Sequence, residues 1–358
     1  TVKGNVLNYG NITLSGSIGG DLRLEGNLAD SGTFNANDRA VFFDGANTQD
    51  ISGNGTFDIS YVRIGKTGGS VRLLSNLLCE GPNGGNAMEI DNSGGKTSIL
   101  DLNGFTLTLG KGSTASTYNS GIATPGSIRG SATSSISILG TGALGTINFD
   151  QTGSGNELQN LTINRTSTGT VTLGNHLTIG SSATFTNGAF DIGSNTLTLN
   201  GTVSRTSGSI TATSGTVTFS GSSAQSVPAS TFTANSLANL NIPNTNGVTF
   251  NGSNDITGTM TVNGLFTPVA AAVIGGAGTL TGTGTIQVTR AIGANNYSTQ
   301  YTISNKTLTN LTVEYAGASA QSADAITYTG LKISNTNGVA LNGNTTISDV
   351  ANFNTGYL

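Results

Sequence analysis

Leu161-Thr-Ile163-Asn-Arg-Thr-Ser-Thr-Gly169-Thr-Val171-Thr-Leu173-Gly174 is the stretch whose reading decides the fold. Two short runs alternate apolar and polar residues, so Leu161 and Ile163, then Val171 and Leu173, fall on one strand face and threonine or asparagine on the other. A turn of small residues joins the runs. The pattern returns as Val62-Arg-Ile64 with Val71-Arg-Leu73, as Leu240-Asn-Ile242 with Val248-Thr-Phe250, and as Leu331-Lys-Ile333 with Val339-Ala-Leu341. The anchor isoleucines Ile64, Ile163, Ile242 and Ile333 are unevenly spaced, which marks a repeat protein with loops of unequal length.

Before each anchor the sequence places a second element, an aromatic followed six residues later by glutamine: Phe43 with Gln49, Phe219 with Gln225, Tyr315 with Gln321. In the second copy Phe149 is followed by Gly155, a degenerate version. A buried glutamine satisfying turn backbone groups is the reading preferred to ligand binding. A third element follows the anchors, clearest in Asp191-Ile-Gly-Ser-Asn-Thr-Leu197-Thr-Leu199 and Asp101-Leu-Asn-Gly-Phe105-Thr-Leu107-Thr-Leu109. Asn352 to Leu358 parallels Ala183 to Phe190, so the fourth copy stops partway, and a longer native polypeptide is expected.

These elements divide the chain into an amino-terminal β segment (1–40), a more charged first copy (41–145), a second (146–215), a third (216–311) and an incomplete fourth (312–358). No helical-period segment interrupts the strand runs. The fold class expected is all-β, a right-handed parallel β-helix or β-solenoid of stacked short strands, with tandem β-sandwich domains as the alternative. Five prolines supply few linkers, and neither a tryptophan nor a cysteine pair is present to build an immunoglobulin core. At about 20 residues per rung and ~4.8 Å per step, the chain would make roughly 18 rungs and ~85 Å of rod.

Composition narrows function. Charged residues make up 9% of the chain, against about 25% in ordinary soluble proteins. Net charge is −4, so there is no basic footprint for nucleic acid. Residues 1–111 hold 8 of the 14 Lys and Arg and 11 of the 18 Asp and Glu, the mark of a decorated head. Within it, Asp21, Arg23 and Glu25 form an acid–base–acid row expected to be surface charge. Cys79 is alone, and no apolar run approaches the ~20 residues of a membrane span.

Catalysis finds little support. His176, the single histidine, alternates with Leu177 and Ile179 and should face outward. Asp38, Asp44, Asp50 and Asp58 are the nearest thing to a carboxylate cluster for a β-helix hydrolase or lyase. No cofactor is called for, although the loop with Glu80, Asn83, Asn86, Glu89 and Asp91 has the oxygen ligands calcium takes. Thr-x-Thr triplets such as Thr196-Leu-Thr198 and Thr216-Val-Thr218 raise ice binding, which needs one regular interval, whereas these recur irregularly. Asn160 and Asn310 head Asn-x-Thr triplets of the glycosylation type, frequent by chance in a threonine-rich chain.

Asn160-Leu-Thr-Ile-Asn164, Asn244 to Gly252, Ala183 to Gly188 and Ser194 to Leu199 resemble the repeats of very large surface proteins of Bacteroidota. Those include the gliding-motility adhesins and related proteins exported by the type IX secretion system. The resemblance covers residues 146–358 well and 1–145 loosely. It implies an extracellular or cell-surface location and a structural or adhesive filament, with no catalytic residues to carry over. Expected partners are further repeats, a second copy, or surface glycans and proteins, with no nucleic acid and no membrane span.

Overall fold

The computed structural model describes residues 1–166 and 168–355. Ser167 of the quoted stretch, and Gly356, Tyr357 and Leu358 of the fourth copy, lie outside the described residues. The chain is a β-solenoid of about 16 turns, 53% strand and 2% helix, in which parallel strands stack rung upon rung. That pairing sets aside the sandwich alternative, whose sheets are antiparallel.

The chain forms two compact units. The first is Thr1–Ile192 with Thr206–Gly208. One of its sheets stacks Val6–Asn8, Leu28–Asp30, Gln49–Gly53, Val71–Leu73, Ile99–Asp101 and Ser127–Arg129. A second stacks Leu22–Leu24, Ala40–Phe43, Tyr61–Ile64, Asn86–Ile90 and Thr117–Tyr118. Thr56–Asp58, Asn76–Cys79, Thr106–Leu109, Ser131–Thr141, Glu157–Thr166 and Leu177–Asn187 run along a third. Each turn therefore visits three sheets through very short corners. Asn54-Gly55 is one, and Gly55 takes φ +71°, a left-handed conformation that glycine adopts without strain.

The second unit is Gly193–Arg205 with Ser209–Leu358. One sheet runs from Gln225–Val227 through Val248–Phe250, Leu265–Pro268, Thr285–Val288 and Thr312–Tyr315 to Thr327–Ile333 and Thr346–Phe353. Another stacks Thr196–Leu199, Ser209–Phe219, Phe232–Ile242, Thr259–Val262, Thr279–Gly282 and Asn305–Lys306. Asn296–Gln300 is the α-helix among the described residues.

Alternation decides what is inside. Leu24, Phe43, Ile64 and Ile90 stand in register on consecutive rungs and are all buried. Each such side chain stabilises the stack by about 1.5–3 kcal/mol relative to exposure. In the second unit Phe250 packs edge-on between Phe219 and Phe266, with ring centroids 5.8 and 5.1 Å away. Cys79 is one more buried residue of the core, and burial pushes its thiol well above the usual range.

Rung length is not constant. The turn that brings Val6 onto Leu28 is shorter than the one that brings Val71 onto Leu100. In the second unit Val313 meets Leu331 after a short turn, whereas Ile286 meets Val313 after a much longer one. Excursions at the corners absorb these differences, so the chain makes about 16 turns, fewer than uniform short rungs would give. Strand register is fixed by the buried face, so a longer corner leaves the side-chain columns aligned.

Candidate functional site

The repeat itself builds the most elaborate polar site. Phe43 pairs with Ile64 and Tyr315 with Ile333, and the register Thr218 to Asn241 carries Phe219 onto Ile242. Aromatic and anchor are thus neighbours on successive rungs. Six residues past each aromatic, the glutamine turns inward. Gln49 Nε2 donates to the carbonyls of Leu24 (3.0 Å) and Gly26 (2.7 Å) on the preceding rung, and its Oε1 accepts from Gly45 N–H at 2.8 Å. Gln225 bonds Leu199 O, Gly201 O and Gly221 N–H in the same way. Gln321 does so with Val288 O, Arg290 O and Gly317 N–H.

A second polar side chain enters from the following rung, two residues past each anchor. Lys66 Nζ donates to Gly45 O (2.6 Å), Asn47 O (2.7 Å) and Gln49 Oε1 (2.7 Å). Asn244 Nδ2 reaches Ser223 O and Gln225 Oε1, and Asn335 Nδ2 reaches Ser319 O and Gln321 Oε1. Three rungs are stitched at one corner, and every polar group of the glutamine has a partner. Glycine two residues past the aromatic is a requirement of the space: a Cβ on Gly45 would stand 2.4 Å from Glu25 O, and on Gly221 2.3 Å from Asn200 O. Burial pushes the Lys66 ammonium down to about 8, with the Asp44 carboxylate opposing the shift.

In the second copy the sequence-based alignment is corrected. Ile163 pairs with Ile138 on the preceding rung, so Phe149 and Gly155 are not the corner. Phe149 instead bridges to Ile128. The glutamine position is Leu144, six past Ile138, and Gly140 keeps the glycine place with φ +101°. Arg165 stands where the other copies have Lys66, Asn244 and Asn335. It is 0% exposed, and among the described residues it has no carboxylate partner. Its guanidinium donates to Gly142 O (2.7 Å), Leu139 O (2.6 Å), Ser116 O (2.8 Å) and Thr141 O. One planar fork does what a glutamine and a second side chain do elsewhere. Burial lowers its pKa. The position was visible in the sequence, as Lys, Arg, Asn and Asn two past each isoleucine, but it reads there as ordinary turn polarity.

The acidic candidates are dispersed. Asp44 pairs with Arg23 (2.8 Å) and Asp50 with Arg72 (2.9 Å). Asp38 and Asp58 line a cavity of about 270 Å³ together with Asn35, Ser60 and Glu80. Burial, then the charge and hydrogen bond of Glu80, push Asp58 up to about 6, while Lys111 opposes. Glu80 lies one rung further along the chain and is brought there by the register of Asp58 with Leu78. Sequence spacing gave no sign of that pair because the rung length was unknown.

The calcium-type loop is occupied by protein cations and amides. Glu80 pairs with Lys111, Glu89 with Arg63 (3.2 Å) and Asp91 with Lys96 (2.6 Å). Asn86 Nδ2 donates to Glu89, and Asn83 Oδ1 accepts from Ala115 N–H. Burial of Asp91 is outweighed by hydrogen bonds from Lys96 and Ser93, which hold it at about 2. Among the described residues no group of three or more His, Cys, Asp or Glu side chains is set to hold a metal ion. His176 is exposed beside buried Leu177 and Ile179, the orientation that alternation predicts.

Elsewhere charge runs from rung to rung rather than along a strand. Arg23, of the acid–base–acid row, stacks on Phe42 at 4.2 Å, with Arg63 on the same ring at 5.6 Å. Asp50, Arg72, Asp101 and Arg129 occupy paired positions on consecutive rungs, and Arg129 continues to Asp150 at 2.7 Å. In the second unit two adjacent columns are neutral, Thr196, Thr216 and Asn239 in one and Thr198, Thr218, Asn241, Thr261 and Thr281 in the next, while Glu314 and Lys332 pair at 3.0 Å in another. Triplets irregular in sequence thus stand in register in space.

No helix among the described residues is long and apolar enough to cross a membrane. Comparison with protein-family models, curated proteins and solved structures finds no match, so function rests on the geometry above.

Proposed function

We propose that this chain is a non-catalytic structural or adhesive segment of an extracellular filament or surface protein, serving through length and outer surface. The observation that carries the reading is the corner. In four copies the polar side chains that recur are buried and engaged with backbone of neighbouring rungs, so the repeated feature acts to hold rungs together. The resemblance of the repeats to Bacteroidota surface proteins points the same way. Association with further repeats or a second copy belongs to this reading. Negative-stain images of the purified chain should show elongated particles of uniform width. A population of compact particles would sink the proposal.

A second reading has its own support. One outward column places Thr198 on Thr218 and Thr261 on Thr281 at ~4.8 Å, with Asn241 between the two pairs, a hydroxyl and methyl surface of the kind that can order water. Thermal hysteresis, abolished when Thr218 and Thr261 are both replaced by tyrosine, would establish it. Freezing behaviour no different from an inert protein would remove it.

A further inference from the structure

The turn that carries Thr285–Val288 departs from the regular path. Met260 pairs with Leu280 across a short turn, whereas Ile286 pairs with Val313 across a distinctly longer one. An insertion of residues 289–304, with the helix Asn296–Gln300, accounts for the departure. It is fastened from both sides. Gln300 Oε1 accepts from the N–H groups of Thr289 (2.8 Å) and Arg290 (3.0 Å). Asp324 accepts from the N–H groups of Tyr297 (3.0 Å) and Ser298 (3.1 Å) and from the Ser298 hydroxyl. Beside this insertion lies a cavity of about 570 Å³, within the range of small-molecule pockets.

Two of its lining groups lack partners. Tyr297 is 2% exposed, and its phenol oxygen has no hydrogen-bond partner, an expensive state for a buried hydroxyl. Lys306 is exposed at the cavity, and among the described residues no carboxylate pairs with its ammonium. Thr327, Thr329 and Ser348 add hydroxyls, and Ile326 adds an apolar wall.

We propose that this cavity binds an acidic saccharide, with the carboxylate of a uronic acid residue on Lys306. The Thr327, Thr329 and Ser348 hydroxyls face a polyol, and Ile326 meets the C–H face of the ring. A single ammonium suits the single negative charge of a carboxylate, and the three hydroxyls beside it suit a polyol. The chain carries a net charge of −4, so its overall field does not draw anions, and recognition has to be local. The assignment stands apart from the filament reading, because a pocket of this kind could sit on a compact particle equally well.

The test is calorimetric titration of the full chain with disaccharides of galacturonate, glucuronate and mannuronate, each beside its neutral counterpart. At least one uronate is expected to bind with one site per chain. Its affinity should fall tenfold or more in Lys306→Gln and in the cavity-filling Thr327→Tyr, with circular dichroism unchanged in both. Binding of none of the three uronates by the unaltered chain would overturn the proposal. So would uronate affinity unchanged in both Lys306→Gln and Thr327→Tyr, or equal affinity for the neutral sugars.

Discussion

The corner at Arg165 and the corners at Gln49, Gln225 and Gln321 solve one problem with different chemistry. All four must satisfy carbonyls that a tight turn leaves unpaired inside a dry wall. Three use a neutral amide that donates two bonds and accepts one, completed by Lys66, Asn244 or Asn335. The fourth has Leu144 in the amide's place and lets one arginine supply every donor. The amide pairs at Gln225 and Gln321 leave little behind if the rungs separate, whereas a buried cation such as Arg165 or Lys66 is tolerable only while its carbonyls surround it. The arginine corner should therefore be the more brittle of the two designs.

The largest effect is expected from Arg165→Ala, which strips four carbonyls of their donor and opens a void. A loss of about 3–5 kcal/mol in urea denaturation followed by circular dichroism is predicted. Gln225→Ala removes one amide and strands two carbonyls and the Gly221 N–H, and about 2–3 kcal/mol is expected. The comparison sharpens if the designs are exchanged. Leu144→Gln combined with Arg165→Asn rebuilds the amide corner around Gly140, and the double variant should recover more than half of the Arg165→Ala loss. If the pair proves no better than Arg165→Ala alone, the two corners are not equivalent positions and the correspondence between them fails.

Gly221→Ala probes the space rather than the bonds. A Cβ there would stand 2.3 Å from Asn200 O, which is backbone and cannot swing away, so about 1–3 kcal/mol should be lost. Gly4 has open space where a Cβ would go, and alanine there should change stability little.

Strand alternation, Gly-rich corners and absent helical periods made the solenoid legible, because a parallel stack needs only short strands with one apolar face. The glutamines at 49, 225 and 321 were legible as buried turn residues for the same reason. The second corner was not, since its aromatic is replaced by Ile138 and its glutamine by Leu144. The aromatic-and-glutamine pattern therefore points to Phe149 instead. Only the rung-to-rung register reveals the true neighbour of Ile163. Register also hid the Asp58–Glu80 pair, the rung-to-rung charge ladder and the alignment of the threonine triplets. Each joins residues separated by a rung length that changes from turn to turn, as the Val313–Leu331 and Val71–Leu100 pairs show. The cavity beside Tyr297 depends on an insertion that looks, in sequence, like one more Gly- and Asn-rich loop.

The smallest expected effect distinguishes a strained carboxyl pair from the satisfied ones. Asp58, raised from 3.8 to about 6 by burial and by Glu80, binds its proton more tightly in the folded chain than in the unfolded one. Between those two values the folded state holds more protons, so this group's contribution to stability declines as pH rises through that window. Asp91, held at about 2, has the opposite sign: its contribution is complete above 3.8 and disappears as pH falls through about 2. Because Asp58 is substantially exposed, solvent screening keeps the effect small. Asp58→Asn should flatten the melting temperature against pH between 4 and 6 and leave the variant slightly more stable at pH 7. Glu80→Gln should act in the same direction by removing the neighbouring charge while keeping a hydrogen-bond partner. If both variants trace the parent's profile without displacement, neither burial nor the Glu80 charge raises the Asp58 carboxyl, and their cavity is merely a solvated notch between rungs.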